Sequence, residues 1–245
     1  MNLLALDTST DMLSIAVQKG GNGSGAGLLE RSAPGGAQSS TTLIPLIREL
    51  MGELGLSFDE LDLIAFGRGP GSFTGLRTAC SVAQGLAFGA RKGLGVPVLP
   101  VDSLLAVAEQ ARMEHGVDKV LAVLDARMDE VYAAAYRWDG GQWSSAGDYQ
   151  LLSPQNVIVE PGFIVAGNAQ AAYGERLAPD APHVRALPTA GAMLRLAPQL
   201  AASGTVSAKE ALPLYIRDKV AQTTAEREQA RQAAAGLTAS GPQPA

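Results

Sequence analysis

Three short stretches of this chain carry residue types that could do chemistry. Asp7-Thr8-Ser9-Thr10 follows the apolar run at residues 3–6, which reads as the tip of a strand–turn–strand unit. In an ATP-handling fold a carboxylate so placed can hold a metal-bound water while hydroxyls and amides meet phosphate. The competing reading is a turn whose Asp, Ser and Thr satisfy their own backbone. Gly67-Arg68-Gly69-Pro70-Gly71-Ser72-Phe73-Thr74-Gly75-Leu76-Arg77 joins a glycine-rich loop to a helix start, and helix N-termini attract anions. It lacks the Gly-Lys-Ser/Thr ending of a Walker loop, so a tight turn and a helix packed closely through Gly75, Ala79 and Ala83 are favoured. Asp125-Ala126-Arg127 offers either a second phosphate-side carboxylate or an Asp–Arg structural pair. Val165-Ala166-Gly167-Asn168-Ala169 either lines a nucleotide base or simply ends a strand.

Other catalytic material is sparse. His115 and His183 are the two histidines, far apart in sequence, and no His-x-x-x-His pair or His/Cys cluster is present as metal ligands. Cys80 is the single cysteine and lies within an apolar helix, which points to an inert buried thiol and excludes an internal disulfide framework. No Gly-x-Ser-x-Gly nucleophile elbow occurs.

The elements that must position these residues follow from periodicity and turn chemistry. The spacing predicts strands at 3–6, 12–18 and 28–31, with a glycine-rich tip at 19–27. Ser39 or Ser40 is placed to cap a helix at 41–54, whose Leu43, Ile44, Leu46, Ile47, Leu50, Met51 and Leu54 span roughly 160°, wider than the stripe of a one-sided surface helix. Ser57-Phe58-Asp59-Glu60 has capping-box form, and a strand at 63–66 enters the glycine-rich loop. The helix predicted at 72–89 carries Arg77 as its one charge and is apolar or small nearly all round. A strand at 96–101 leads to a helix capped by Asp102 or Ser103 and closed by His115-Gly116. The pattern then restarts: strands at 120–124 and 131–136, a helix capped by Ser153, a strand at 163–166 and a helix at 190–202 containing Pro198. Asp7 and Asp125 thus head two similar halves, a weak internal repeat of α/β units with a boundary near Pro100.

At 245 residues, 47% hydrophobic and 18% charged, the chain can bury a substantial core in one or two domains. Its net charge of −5 argues against gripping a phosphate backbone unaided, although Arg68, Arg77 or Arg91-Lys92 could add a local basic surface within a complex. The N-terminus lacks the basic start of a secretory signal, and no apolar run of membrane-spanning length appears, so the expectation is a soluble cytoplasmic protein with no membrane partner. Residues 221–245 are Ala, Gln, Glu, Arg, Gly and Pro around one Leu237, a tail expected to be disordered.

Five segments in order, Leu4-Ala5-Leu6-Asp7-Thr8-Ser9-Thr10, Thr42-Leu43-Ile44-Pro45-Leu46-Ile47, the Gly67 to Arg77 stretch, Val101-Asp102-Ser103-Leu104 and Asp125-Ala126-Arg127, together closely resemble the TsaB (YeaZ) family. Pro213-Leu214-Tyr215-Ile216-Arg217 matches the family's closing motif, so the resemblance spans nearly everything before the tail. The resemblance implies an α/β protein of the actin-like, sugar-kinase and Hsp70 ATPase (ribonuclease H-like) fold, with lobes at 1–100 and 101–220. It further implies a cytoplasmic subunit, not an enzyme on its own, of the machinery that installs threonylcarbamoyladenosine in tRNA. That subunit would pair with a catalytic TsaD-type paralogue, be joined by a TsaE-type ATPase, form homodimers in isolation, and meet tRNA only through the complex. No cofactor is implied for the isolated chain; ATP or ADP with magnesium would belong to the assembled complex. Ser39-Ser40 stands where family members carry His-Ser, a departure that removes the imidazole from this position.

Two expectations follow. In the first, apolar surface on the helices at 41–54 and 72–89, represented by Leu43, Leu46, Ile47, Leu50, Phe73, Leu76, Arg77 and Cys80, is covered by a sister subunit. Asp7, Thr8, Ser9 and Asp125 would then form a vestigial or junction nucleotide site. In the second, the chain is itself an ATPase or small-molecule kinase working through Asp7 and Asp125 around a magnesium nucleotide. A peptidase ranks behind both, since no nucleophile–base pairing is visible.

Overall fold

Strand β1 (Leu3–Asp7) shows how the molecule is layered: Leu4 and Leu6 pack into one apolar cluster and Leu3 and Ala5 into another, all of them buried. The computed structural model describes residues 1–20 and 27–217. After β1 come β2 (Met12–Lys19), β3 (Gly27–Pro34), α1 (Ser39–Glu53), β4 (Leu63–Gly69), α2 (Phe73–Gly89) and β5 (Val98–Asp102). Then follow α3 (Ser103–His115), β6 (Lys119–Arg127), β7 (Glu130–Trp138), β8 (Trp143–Ser145), β9 (Gln150–Leu152), β10 (Ile164–Gly167), α4 (Ala169–Tyr173), β11 (His183–Arg185) and α5 (Ala190–Ala202).

The first sheet has the order β3-β2-β1-β4-β5, the second β11-β10-β6-β7-β8 with β9 also on β7. Each is built the same way. An antiparallel hairpin (β1–β2, or β6–β7) is extended on one side by parallel strands, β4 and β5 in the first sheet and β10 and β11 in the second. Helices α1 and α2 cover the outer face of the first sheet through Leu43, Ile47, Leu50, Ala79 and Ala83. Helices α3 and α5 fill the space between the sheets, where small residues such as Ala5, Ala65, Ala106 and Ala122 allow close approach. A third, smaller cluster around Val123, Val165 and Leu177 closes the far side. Pro100 lies inside β5, within the first sheet.

Several local expectations hold: the Ser57–Glu60 capping box forms, Ser72 Oγ caps α2, Gly116 closes α3 in the left-handed region (φ 67°), and α5 runs from Ala190 to Ala202. Others do not. Ser39 and Ser40 fall inside α1, which follows a 3-10 turn at Gly36–Gln38 rather than a side-chain cap, and Ser39 Oγ is buried with no partner among the described residues. Asp102 does not cap α3, because its carboxylate is engaged elsewhere. The helix expected after Ser153 is only a 3-10 turn, Pro154–Asn156. β3 is longer than expected because it pairs with β2 along its whole length. The expectation for residues 221–245 lies outside the described residues.

Candidate functional site

The two carboxylates singled out in the sequence end up at equivalent places, at the C-terminal end of the first strand of each sheet. Their surroundings favour, of the two local readings, the turn whose polar groups satisfy one another. Asp7 is 1% exposed. Its Oδ1 accepts from the backbone N–H (2.8 Å) and hydroxyl (2.7 Å) of Ser9, and its Oδ2 accepts from the Ser103 hydroxyl at 3.2 Å. Burial pushes its pKa up to about 6, against the opposing pull of the Ser9 and Ser103 hydrogen bonds. The turn beyond it is covered by the glycine-rich loop. Thr8 Oγ1 donates to Gly75 O at 2.6 Å, and Ser72 N–H donates to Ser9 O at 2.7 Å. A Cβ at Gly75 would sit 1.8 Å from Thr8 O, so only glycine lets α2 start this close to the turn. Gly69 adopts φ 116°, the backbone freedom that the loop requires. Thr8 and Ser9 are therefore buried and spend their polar groups on the chain's own backbone and on Asp7.

Asp125 is the structural half of its two readings. Its Oδ2 pairs with Arg127 at 3.1 Å, its Oδ1 accepts from Arg127 N–H and the Tyr173 hydroxyl (both 2.8 Å), and its own N–H donates to Asn168 Oδ1. Burial, and then the neighbouring Asp125 carboxylate, push the Tyr173 hydroxyl up to about 12. Asn168 thus ends a strand by tying it to the hairpin. With one carboxylate sealed and the other neutralised, the residues present do not fit a magnesium nucleotide at these turns. Among the described residues no three His, Cys, Asp or Glu side chains gather as a metal-ligand group.

The helix pair is corrected in part. Leu43, Ile47, Leu50 and Cys80 face the chain's own core, because the sheet beneath takes the most apolar arc of each helix, and Leu76 is buried beside Gly69 of the glycine-rich loop. The Cys80 thiol donates to Ala211 O, and burial raises its pKa. What remains outward is narrower: Ile44 (46% exposed), Pro45 and half-buried Leu46 on α1, and Phe73, Arg77, Val82, Leu86 and Phe88 (75% exposed) on α2.

Three arrangements went unread in the sequence. Glu109 on α3, 2% exposed, accepts from Arg112, Arg195 and the Trp143 indole. Burial alone would raise its pKa, but these donors hold it below the usual range. The Glu109–Arg112 spacing was a readable signal; Trp143 and Arg195 were not, being distant in sequence. Asp102 binds both Arg68 and the Tyr149 hydroxyl, and burial first, then this carboxylate, take Tyr149 up to about 12. The closing segment forms a strap. Val206 bridges to Val98 on the edge of β5, Leu214 N–H donates to Arg68 O, Tyr215 stacks on Phe73, and Arg217 reaches Glu130 and the backbone of the β6–β7 hairpin. That hairpin holds Arg127, Met128 and Asp129 at positive φ, a strained conformation pinned by Arg176 and Arg217.

Two sheets of one plan, each with a turn-borne carboxylate after its first strand and with helices packed between them, define the two-lobed actin-like, sugar-kinase and Hsp70 ATPase fold class. Residues 34–235 match the family model described as TsaD: tRNA N6-adenosine threonylcarbamoyltransferase. The tRNA threonylcarbamoyladenosine biosynthesis protein TsaB of Haemophilus influenzae is 37% identical over 90% of this chain and 95% of its own length. Its Escherichia coli namesake is 33% identical over 90% and 96%. A solved structure of YeaZ from Pseudomonas aeruginosa, 38% identical, superposes with a TM-score of 0.78 over 88% of this chain and 99% of that one. The chain belongs to the TsaB (YeaZ) family. No helix among the described residues is long and apolar enough to cross a membrane.

Proposed function

We propose that this chain serves tRNA threonylcarbamoyladenosine formation as a subunit without chemistry of its own, pairing with and activating a TsaD-type threonylcarbamoyltransferase. The observation that carries this reading is the state of the two turn carboxylates: Asp7 is sealed beneath the glycine-rich loop and Asp125 is paired with Arg127. A chain built so supplies surface rather than a reacting group. The outward residues of α1 and α2, from Ile44 to Phe88, are the surface offered to the sister subunit, and a homodimer in isolation uses the same face. The TsaE-type ATPase joins the assembled pair, nucleotide and magnesium belong to that assembly, and tRNA is met through it, in keeping with a net charge of −5.

The test is reconstitution of tRNA modification from purified subunits with and without this protein. Omission should abolish threonylcarbamoyl transfer, and adding it back should restore transfer. Full transfer in its absence would overturn the reading, as would micromolar ATP binding by the isolated chain that Asp7→Ala abolishes.

A further inference from the structure

The chain has a net charge of −5, and among the described residues nine arginines lie in ion pairs with carboxylates. Arg77, in the second turn of α2, is exposed and has no carboxylate within ion-pair distance among the described residues, yet it is held firmly. Its guanidinium carbon lies 3.8 Å from the centroid of the Phe73 ring, and its Nε donates to the Tyr215 hydroxyl at 3.1 Å. The two rings are themselves 5.2 Å apart, and Tyr215 remains 44% exposed. The terminal nitrogens Nη1 and Nη2 make no hydrogen bond within the described residues, so the open edge of the fork is the part left for a ligand.

We propose that Arg77 is a preset receptor for one carboxylate of the sister subunit, oriented by Phe73 and by Tyr215 of the closing strap. The inference rests on the pairing proposed above and names one contact of that pairing. A guanidinium fork donates two parallel hydrogen bonds to a carboxylate, and a side chain already stacked and tethered loses little freedom on doing so. Arg, Tyr and Phe in one cluster are also the side chains that dominate protein–protein contacts. A nucleic-acid backbone fits less well, because it needs several free cations close together: of the other basic candidates, Arg68 and Arg91 are paired with Asp102 and Asp62, and Lys92 lies beyond the far end of α2. Tyr215 arrives on a strap fastened to Arg68 O by Leu214 and to the second sheet by Arg217, so the receptor is complete only when the chain's closing segment is docked.

The experiment measures association of the full chain with its cognate TsaD-type subunit at low and high salt, and tRNA binding by the assembled pair. Arg77→Ala and Arg77→Glu should weaken subunit association by roughly tenfold or more and flatten its salt dependence. Tyr215→Phe, which keeps the ring and loses the tether, should weaken it by less. Arg77→Lys should fail to restore full affinity, since an ammonium keeps the charge without the fork. Thermal melts unchanged from the parent protein confirm that the variants are folded. Association by the parent that is equally tight and salt-dependent in Arg77→Ala overturns this inference while leaving the subunit reading standing. Unchanged subunit association with lost tRNA affinity overturns it too, in favour of an RNA phosphate. A parent protein that does not associate at all overturns the subunit reading and this inference with it.

Discussion

A β-carbon at position 67 would lie 1.8 Å from Asp7 Oδ2, so the carboxylate at the end of β1 fills the volume that any side chain at that point of β4 would need. The carboxylate cannot yield, because Ser9 and Ser103 hold both of its oxygens. Gly67→Ala should therefore destabilise the protein by about 3 kcal/mol, the upper part of the usual cost of overpacking. Urea denaturation of the variant beside the parent chain measures it; a midpoint unchanged from the parent's would show that this contact is looser than described.

The same burial makes Asp7 a source of pH dependence. Its pKa in the folded protein is about 6 against an ordinary 3.8, so the folded state holds the proton more tightly than the unfolded one. Its contribution is most favourable below pH 3.8 and is lost as pH rises through about 6, a change of at most about 3 kcal/mol. Asp7→Asn keeps an oxygen for the Ser9 donors and removes the titration. The stability difference, variant minus parent, should grow between pH 4 and pH 7 in favour of the variant. A difference flat across that window would refute the assignment.

The helices α1 and α2 separate core from surface residue by residue. Leu76 is buried and Ile44 is 46% exposed. Leu76→Asp should prevent folding, since an unpaired charge would be buried at a position 1% exposed, beside Gly69 of the glycine-rich loop. Ile44→Asp should leave the thermal melt within a degree or two of the parent and weaken subunit pairing measured by light scattering. Pairing that survives both Ile44→Asp and Phe88→Asp would remove this face from consideration.

Glu109 joins α3 to α5 and β8 by accepting from Arg112, Arg195 and Trp143 Nε1. Glu109→Ala leaves the buried Trp143 indole N–H without its acceptor and removes an acceptor from partly exposed Arg112 and Arg195, of which Arg195 keeps Gln110, and the expected loss is about 1–3 kcal/mol. Calorimetric melting checks this, with Glu109→Gln falling between the two because its amide oxygen still accepts. A loss below 1 kcal/mol would mean that the node is satisfied by water rather than by these contacts.

The order of residues along the chain was enough to place the long strands and helices, the doubled plan headed by Asp7 and Asp125, and the close packing through Gly75, Ala79 and Ala83, but not the short β8, β9, β11 and α4. Those features depend on periodicity, turn residues and neighbours a few positions away, which a sequence displays directly. The tertiary structure alone decided which arc of α1 and α2 turns inward, so that Leu43 and Leu76 join the core while Ile44 and Arg77 face out. It likewise decided that Asp7 is closed off by Gly67 and Gly75 and that Tyr215 reaches Arg77. Each of these depends on segments dozens of residues apart meeting in space. An apolar helix or a turn carboxylate carries no local mark of which distant segment will cover it.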